Sequence, residues 1–368
     1  MGYPHLRSDI DTLAHGGNLE KIKREVSLPH ATTWLDLSSA VNKEPWPIPA
    51  VNVDKWMALP DLYELNRAAS SYYGRNNSLA LAGTQQAIEW LPVILPQVAQ
   101  HLATQDTVIM LPQVGYQEHA NAWDKWGYTV CYYSTVESLL VSKWDIAVVI
   151  NPNNPTTELT GLQQFERLIE RAHSQNGYLL VDEAFIDPIK DQSLLSHGIV
   201  NDWPESLIVL RSVGKFFGLA GARVGFCFAS SAVLSQLQQV IGPWPIATVS
   251  AYLTACAFED REWQKQAIGS LASRRSEFEA RIQPLLSRWL VSLGGQVSWR
   301  SASLFFCVFL EKAVADEAFQ LLQNKGIHIR LGDGWLRFAL PASQEFSALQ
   351  ERVLSLLTLS SIGNIKVS

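Results

Sequence analysis

The chain has 368 residues, 47% of them hydrophobic and 17% charged, with a formal net charge of −6. That is the composition of an ordered globular protein with room for about two domains. It excludes a nucleic-acid partner, because the lysines and arginines are scattered and form no basic run or stripe.

No apolar segment approaches the ~20 residues that span a bilayer, so no membrane association is expected. Residues 1–7 have no apolar core behind their charge, so a secretory leader is not expected either. Cys131, Cys227, Cys256 and Cys307 are widely spaced within apolar runs, with neither zinc-type pairing nor a disulfide framework. They read as reduced core cysteines of a cytoplasmic protein that binds no metal.

Residues 1–45 carry too little apolar pattern to fold alone and are expected to lie against a second, smaller domain. From about residue 60 the pattern predicts helices over 62–73 and 84–99, a strand over 107–111, a helix over 117–126 and a strand over 128–133. An apolar run over 145–150 ends in the loop Asn151-Pro152-Asn153-Asn154-Pro155. A helix over 162–175 leads to strands over 178–181 and 206–210. Continuous apolar strands separated by helices predict a mostly parallel sheet covered by helices on both faces, an α/β fold. The pattern changes near Gly242-Pro243-Trp244-Pro245. Beyond it, 249–290 reads as helical, with a break near Glu259-Asp260, and strands over 302–309 and 335–340 flank a helix over 314–324. The expected division is 1–45 as an N-terminal arm and small-domain segment, 46–260 as the large domain and 261–368 as a small α+β domain.

The chemistry concentrates in Ser212-Val213-Gly214-Lys215, followed by Arg223 and Gly225. A lysine among apolar and glycine residues is partly desolvated, which favours the neutral amine that attacks an aldehyde. The hydroxyl of Ser212 and the guanidinium of Arg223 suit a phosphate monoester. Aldehyde and phosphate together point to pyridoxal 5′-phosphate, with Lys215 as its anchor. In a parallel sheet, ligands bind outside the carboxyl ends of the strands, where several polar groups fall. Asp182 follows one strand and could hold the cofactor's pyridine nitrogen protonated. Asn154 could donate to its phenolic oxygen, and Tyr116 could stack on its ring. Gly83-Thr84-Gln85 opens a helix, where free N–H groups make an anion site. Each feature alone is weak, since strand-end acids, Asn-Pro turns and helix caps are common; their succession along one sheet carries the weight.

These residues resemble the signature of the class I and II aminotransferases, pyridoxal-phosphate enzymes of fold type I, over nearly the whole chain. The resemblance implies that Lys215 anchors the cofactor and moves protons, and that Gly83, Thr84, Gln85, Ser212 and Arg223 hold its phosphate. It also implies a seven-stranded central sheet, Asp182 at the pyridine nitrogen, Asn154 at the phenolic oxygen and a homodimer. The chain departs from the pattern at four places. Gly214 stands where a hydroxyl residue is usual, and Phe185 where a tyrosine is. Thr157 replaces a glycine, and Leu59 precedes Pro60-Asp61 where a tyrosine reaching the neighbouring subunit is common, with Tyr63 as a substitute.

The segment His15-Gly16-Gly17-Asn18, with Trp34 to Ser38 and Asn42 to Pro47 after it, resembles the opening of one branch of the family, the threonine-phosphate decarboxylases of cobalamin biosynthesis. In that branch it helps close over a substrate phosphate, a task that suits an imidazole beside backbone N–H donors. By the same resemblance Arg337 binds a substrate carboxylate, Arg330 a substrate phosphate, and Asn42 joins them. The implied reaction is decarboxylation of L-threonine O-3-phosphate. An aminotransferase acting on a phosphorylated amine such as histidinol phosphate needs the same residues and stays open. The two differ in which bond at Cα is aligned with the cofactor. A non-catalytic regulator or scaffold of the same fold is a third option.

Overall fold

A computed structural model describes residues 16–26, 28, 33–103, 106–197 and 203–363, and of 359–363 the backbone alone. The chain divides into two compact units: Pro45–Trp263, and the described residues up to Glu44 together with those from Gln264 on. The second unit opens with α1 (Leu19–Glu25) and β1 (Leu35–Asp36).

In the first unit, α2 (Val53–Met57) and α3 (Tyr63–Tyr73) precede β2 (Ser78–Leu81), α4 (Thr84–Val98) and β3 (Val108–Pro112). Then come α5 (Glu118–Lys125), β4 (Thr129–Tyr133), α6 (Val136–Val141), β5 (Ile146–Ile150), α7 (Leu162–Ser174), β6 (Tyr178–Asp182), β7 (Leu207–Ser212) and β8 (Gly225–Phe228). Helices α8 (Ser231–Ile241) and α9 (Thr248–Glu259) follow. The seven strands form one sheet in the order β2-β8-β7-β6-β5-β3-β4. Only β8 runs against its neighbours β2 and β7, so the sheet is mostly parallel, as the apolar runs predict. β5 and β6 are buried along their whole length, the mark of a strand covered on both faces.

Alternation along the strands sorts the two faces. Tyr178 and Leu180 of β6, and Ile208 and Leu210 of β7, join the core cluster with Ile88, Leu91 and Ile94 of α4 and Trp123 of α5. Asp182 and Ser212 continue those two rows. Glu183 and Arg211 therefore fall on the other face.

In the second unit, α10 (Arg261–Glu277, its first three residues in the first unit) passes through one π-helical turn into α11 (Gln283–Ser292). The π turn lies within the segment that reads from sequence as one helix. Strands β9 (Ser298–Ala302), β10 (Phe305–Phe309), β12 (Arg330–Gly332) and β13 (Trp335–Ala339) make an antiparallel sheet, order β12-β13-β10-β9. Helix α12 (Lys312–Asn324) and strand β11 (Ile327–His328) lie between β10 and β12 in the chain. β1 pairs in parallel with β11, placing Leu35 opposite Ile327 and Asp36 opposite His328. Helix α13 (Phe346–Gly363) ends the described chain. Among the described residues no helix is long and apolar enough to cross a membrane.

Candidate active site

The sheet order puts the carboxyl ends of β7, β6, β5 and β3 side by side, and hydrogen bonds tie the loops that leave them. The Asn151 N–H donates to the carbonyl of Asp182 at 2.8 Å, joining the β5 and β6 ends. Asn153 donates from Nδ2 to the Val114 carbonyl at 2.8 Å, joining the β5 and β3 loops. The Tyr116 hydroxyl lies 3.3 Å from Gln85 Oε1, which ties the β3 loop to the start of α4. Phe185, beyond β6, places its ring 5.3 Å from Lys215 Nζ, beyond β7.

The cradle at the start of α4 fits a phosphate. Gly83 caps the helix with φ +79° and has no side chain to cap the first N–H groups of α4, while its carbonyl accepts from the Gln86 N–H at 3.2 Å. The Arg223 guanidinium packs directly on Gly83: a Cβ there would come within 2.6 Å of Nη2. Gly225, paired with Ser212 across β7 and β8, is needed for a second close approach. A Cβ on it would lie 2.8 Å from the Thr84 nitrogen. Helix dipole, exposed guanidinium and Ser212 thus converge where the glycines leave room. Arg223 itself takes a left-handed conformation, φ 53° and ψ 53°. Gly214, the departure from the signature, has a packing reason, since a Cβ would meet the Ala220 Cα at 2.9 Å.

Asp182, 4% exposed at the last position of β6, fits a protonated ring nitrogen. Its Oδ1 accepts from the Ala184 N–H at 3.0 Å and its Oδ2 lies 3.0 Å from His119 Nε2. His119 is wholly buried on α5, with Tyr116 edge-on at 6.2 Å. Sequence reading missed this histidine, which lies in the first turn of α5, three residues after Tyr116. Asn154 is buried in the loop after β5. Thr157, where a glycine is usual, has φ 67°, a left-handed conformation that explains the family's glycine.

On the opposite face, Arg211 sits among Glu183, Asp187 and Ser193. It donates to Glu183 Oε2 at 3.3 Å and Ser193 Oγ at 2.8 Å, and pairs with Asp187 Oδ1. Its guanidinium also lies 4.7 Å from the Tyr73 ring centre. Burial pushes the Glu183 carboxyl up, with Arg211 opposing, and pushes the Tyr72 and Tyr73 phenols up as well. The network fastens the residues next to Asp182 and Ser212, and no periodicity in the sequence signals it.

The remaining expected residues lie in the second unit. Arg330 and Arg337 are direct register partners across β12 and β13. Arg337, 3% exposed, donates from Nη2 to the Ser38 carbonyl at 2.7 Å. Burial, and then repulsion from Arg330, push it down to about 9, so it stays charged at neutral pH. Arg330 lies 5.9 Å from the Trp335 ring centre. Guanidinium groups suit anions such as carboxylate and phosphate.

Gly16, Gly17 and Asn18 meet the segment after β1 and the strand β11. The Gly17 N–H donates to Ser38 Oγ at 2.9 Å, and Asn18 Oδ1 lies 2.9 Å from His328 Nε2. His15 lies outside the described residues. Asn42 is buried, its Oδ1 accepting from Arg274 Nη2 at 2.7 Å and from the Glu44 N–H at 3.1 Å. Tyr63 and Leu59 are both exposed, at 69% and 70%.

The Aminotransferase class I and II family pattern matches residues 56–352. The chain belongs to that family, whose members depend on pyridoxal 5′-phosphate. It is 37% identical over 269 residues to a threonine-phosphate decarboxylase of Pseudomonas aeruginosa, covering 72% of this chain and 77% of that one. It is 35% identical over 241 residues to another from a Sinorhizobium species, covering 64% and 68%. Its fold matches that of a histidinol-phosphate aminotransferase from Sinorhizobium meliloti in complex with pyridoxal-5′-phosphate. That match has a TM-score of 0.73 and 18% identity over 96% of this chain and 99% of the other.

Proposed function

We propose that the chain is a pyridoxal-phosphate-dependent carboxy-lyase converting L-threonine O-3-phosphate to (R)-1-amino-2-propanol O-2-phosphate, a step of cobalamin biosynthesis. The observation that carries this reading is the likeness to the two threonine-phosphate decarboxylases. Among the residues, the adjacent Arg330 and Arg337 support it, because this substrate carries two anionic groups.

When bound, the cofactor supplies an electron-withdrawing ring that accepts the pair released from the Cα–carboxylate bond. The first N–H groups of α4, Ser212 and Arg223 hold its phosphate, and Gly83 keeps the approach open. Asp182, held by His119 and the Ala184 N–H, keeps a proton on the ring nitrogen. Asn154 donates to the phenolic oxygen, Tyr116 is the ring's aromatic neighbour, and Gln85 holds Tyr116. Lys215 Nζ is the anchoring amine and returns a proton to the substrate Cα. Arg337 binds the substrate carboxylate. Arg330 and the 15–18 segment bind its phosphate, and Asn42, held by Arg274, joins them.

The working form proposed is a cytoplasmic homodimer. Val53, Trp56, Met57, Leu59 and Tyr63 are all exposed within one short stretch, an apolar surface that a monomer rarely leaves to water. The four cysteines are free. The test of function incubates the holoenzyme with L-threonine O-3-phosphate and measures carbon dioxide. No gas, together with 2-oxoglutarate-dependent consumption of histidinol phosphate, replaces the decarboxylase reading with the aminotransferase one.

A further inference from the structure

Ser38 stands at a crossing that no assigned role accounts for. It is 1% exposed and follows β1 by two residues. Its hydroxyl donates to Asp36 Oδ1 at 2.7 Å, and its N–H reaches the same oxygen at 3.0 Å. A serine hydroxyl has one proton, so spending it on Asp36 leaves the oxygen only as an acceptor. The Gly17 N–H donates to it at 2.9 Å. The Ser38 carbonyl is engaged as well, by Arg337 Nη2 at 2.7 Å. Gly16 lies against this carbonyl so closely that a Cβ would come within 2.2 Å of the oxygen. One buried serine thus touches the Gly-Gly turn with its hydroxyl and a buried guanidinium with its carbonyl.

The surrounding chain leaves Ser38 little freedom. The Leu37 N–H donates to the His328 carbonyl at 2.7 Å, and the Ala339 N–H donates to the Leu37 carbonyl at 2.8 Å. The segment is therefore stitched between β11 and the end of β13, the strand that carries Arg337.

We propose that Ser38 is a positioning residue that couples the Gly16–Asn18 turn to Arg337, so that turn and guanidinium are set together for an anionic substrate. The proposal rests on the functional reading above for the identity of that substrate, but the coupling itself can be measured without it. Losing either contact on Ser38 is transmitted to the other. A turn that comes loose leaves Arg337 less well oriented, and substrate binding weakens while the chemical step at Lys215 keeps its rate.

The experiment uses the full-length holoenzyme. Arg337→Lys removes the Nη2 contact to the Ser38 carbonyl, and amide hydrogen exchange is followed at Gly17. Exchange about threefold to tenfold faster than in the wild type is expected, the size of one lost hydrogen bond. Unchanged exchange at Gly17 overturns the coupling, whatever reaction the enzyme catalyses. Ser38→Ala is then expected to raise KM for L-threonine O-3-phosphate about tenfold with kcat within about twofold, and Ser38→Thr to restore most of the loss. A fall in kcat at constant KM, or no change in KM, contradicts the proposal. Should Ser38→Ala fail to fold, Gly16→Ala delivers the same test from the turn side, because its Cβ must lift off the Ser38 carbonyl. Absence of carbon dioxide from the wild type overturns the functional reading alone, and leaves the Gly17 exchange result standing.

Discussion

His119 Nε2 lies 3.0 Å from Asp182 Oδ2, and both side chains are buried. A carboxylate buried at a strand end needs partners to stay ionised, and here it has a ring nitrogen and one backbone N–H. His119→Ala leaves that carboxylate short of a partner. The variant is expected to bind pyridoxal 5′-phosphate about tenfold more weakly and to lower kcat by a similar factor. Equilibrium dialysis of the cofactor and steady-state kinetics measure both.

Gly83→Ala places a methyl group 2.6 Å from Arg223 Nη2 at a backbone φ of +79°. Both the strain and the displaced guanidinium act against the phosphate cradle. Cofactor affinity is expected to fall at least about tenfold, at a cost in stability of about 1–2 kcal/mol. Added pyridoxal without its phosphate should discriminate poorly between variant and wild type, since the lost contact is to the phosphate.

Arg211→Met strands Glu183 and Asp187 in the core without their cation. Breaking such a buried group is expected to destabilise the fold by about 3–5 kcal/mol, read as a lowered denaturation midpoint. The double change Arg211→Met with Glu183→Gln should recover part of the loss, because it removes one of the two stranded carboxyls.

His328 is held below its ordinary value of 6.5, chiefly by burial, with Asp36 opposing. Trp34 and Phe319 pack edge-on against its ring, and Asn18 Oδ1 meets Nε2. The unfolded chain takes up a proton near 6.5 and the folded chain resists it, so this group's contribution is intact above that value and shrinks as pH falls below it. His328→Gln is expected to flatten the loss of stability between about pH 7 and pH 5 in denaturant titrations. A curve of unchanged slope contradicts the assignment.

Much of the first unit was legible because its strands are buried runs and its helices keep a 3.6-residue period. The ranges for β3 to β7 and for α3, α4, α5 and α7 differ from the observed ones by only a few residues, while α6 has no sequence expectation. Much of what escaped was short or local. β2 and β8 have four residues each, and β1 and β11 two each, too few to show a period. α13 has little amphipathic contrast and no sequence expectation covers it. The glycine-lysine-arginine spacing predicted a phosphate cradle, but not that Gly225 exists to let β8 pass the Thr84 nitrogen. His119, Ser38 and the Arg211 network are pairings between residues distant in the chain, which one sequence cannot display. Asn42 and Ser38 both sit in the N-terminal segment singled out for the substrate. Only the structure separates them, giving Asn42 to Arg274 and Ser38 to the turn and Arg337.

The central claim is that a carboxylate, and not a Cα proton, is the group lost from the substrate. Incubating the holoenzyme with L-threonine O-3-phosphate labelled with carbon-13 in the carboxylate tests it most directly. The account predicts labelled carbon dioxide and an amino-propanol phosphate in equal amounts, with no requirement for a keto acid. Recovery of the label in a keto acid, formed only when 2-oxoglutarate is supplied, would contradict it.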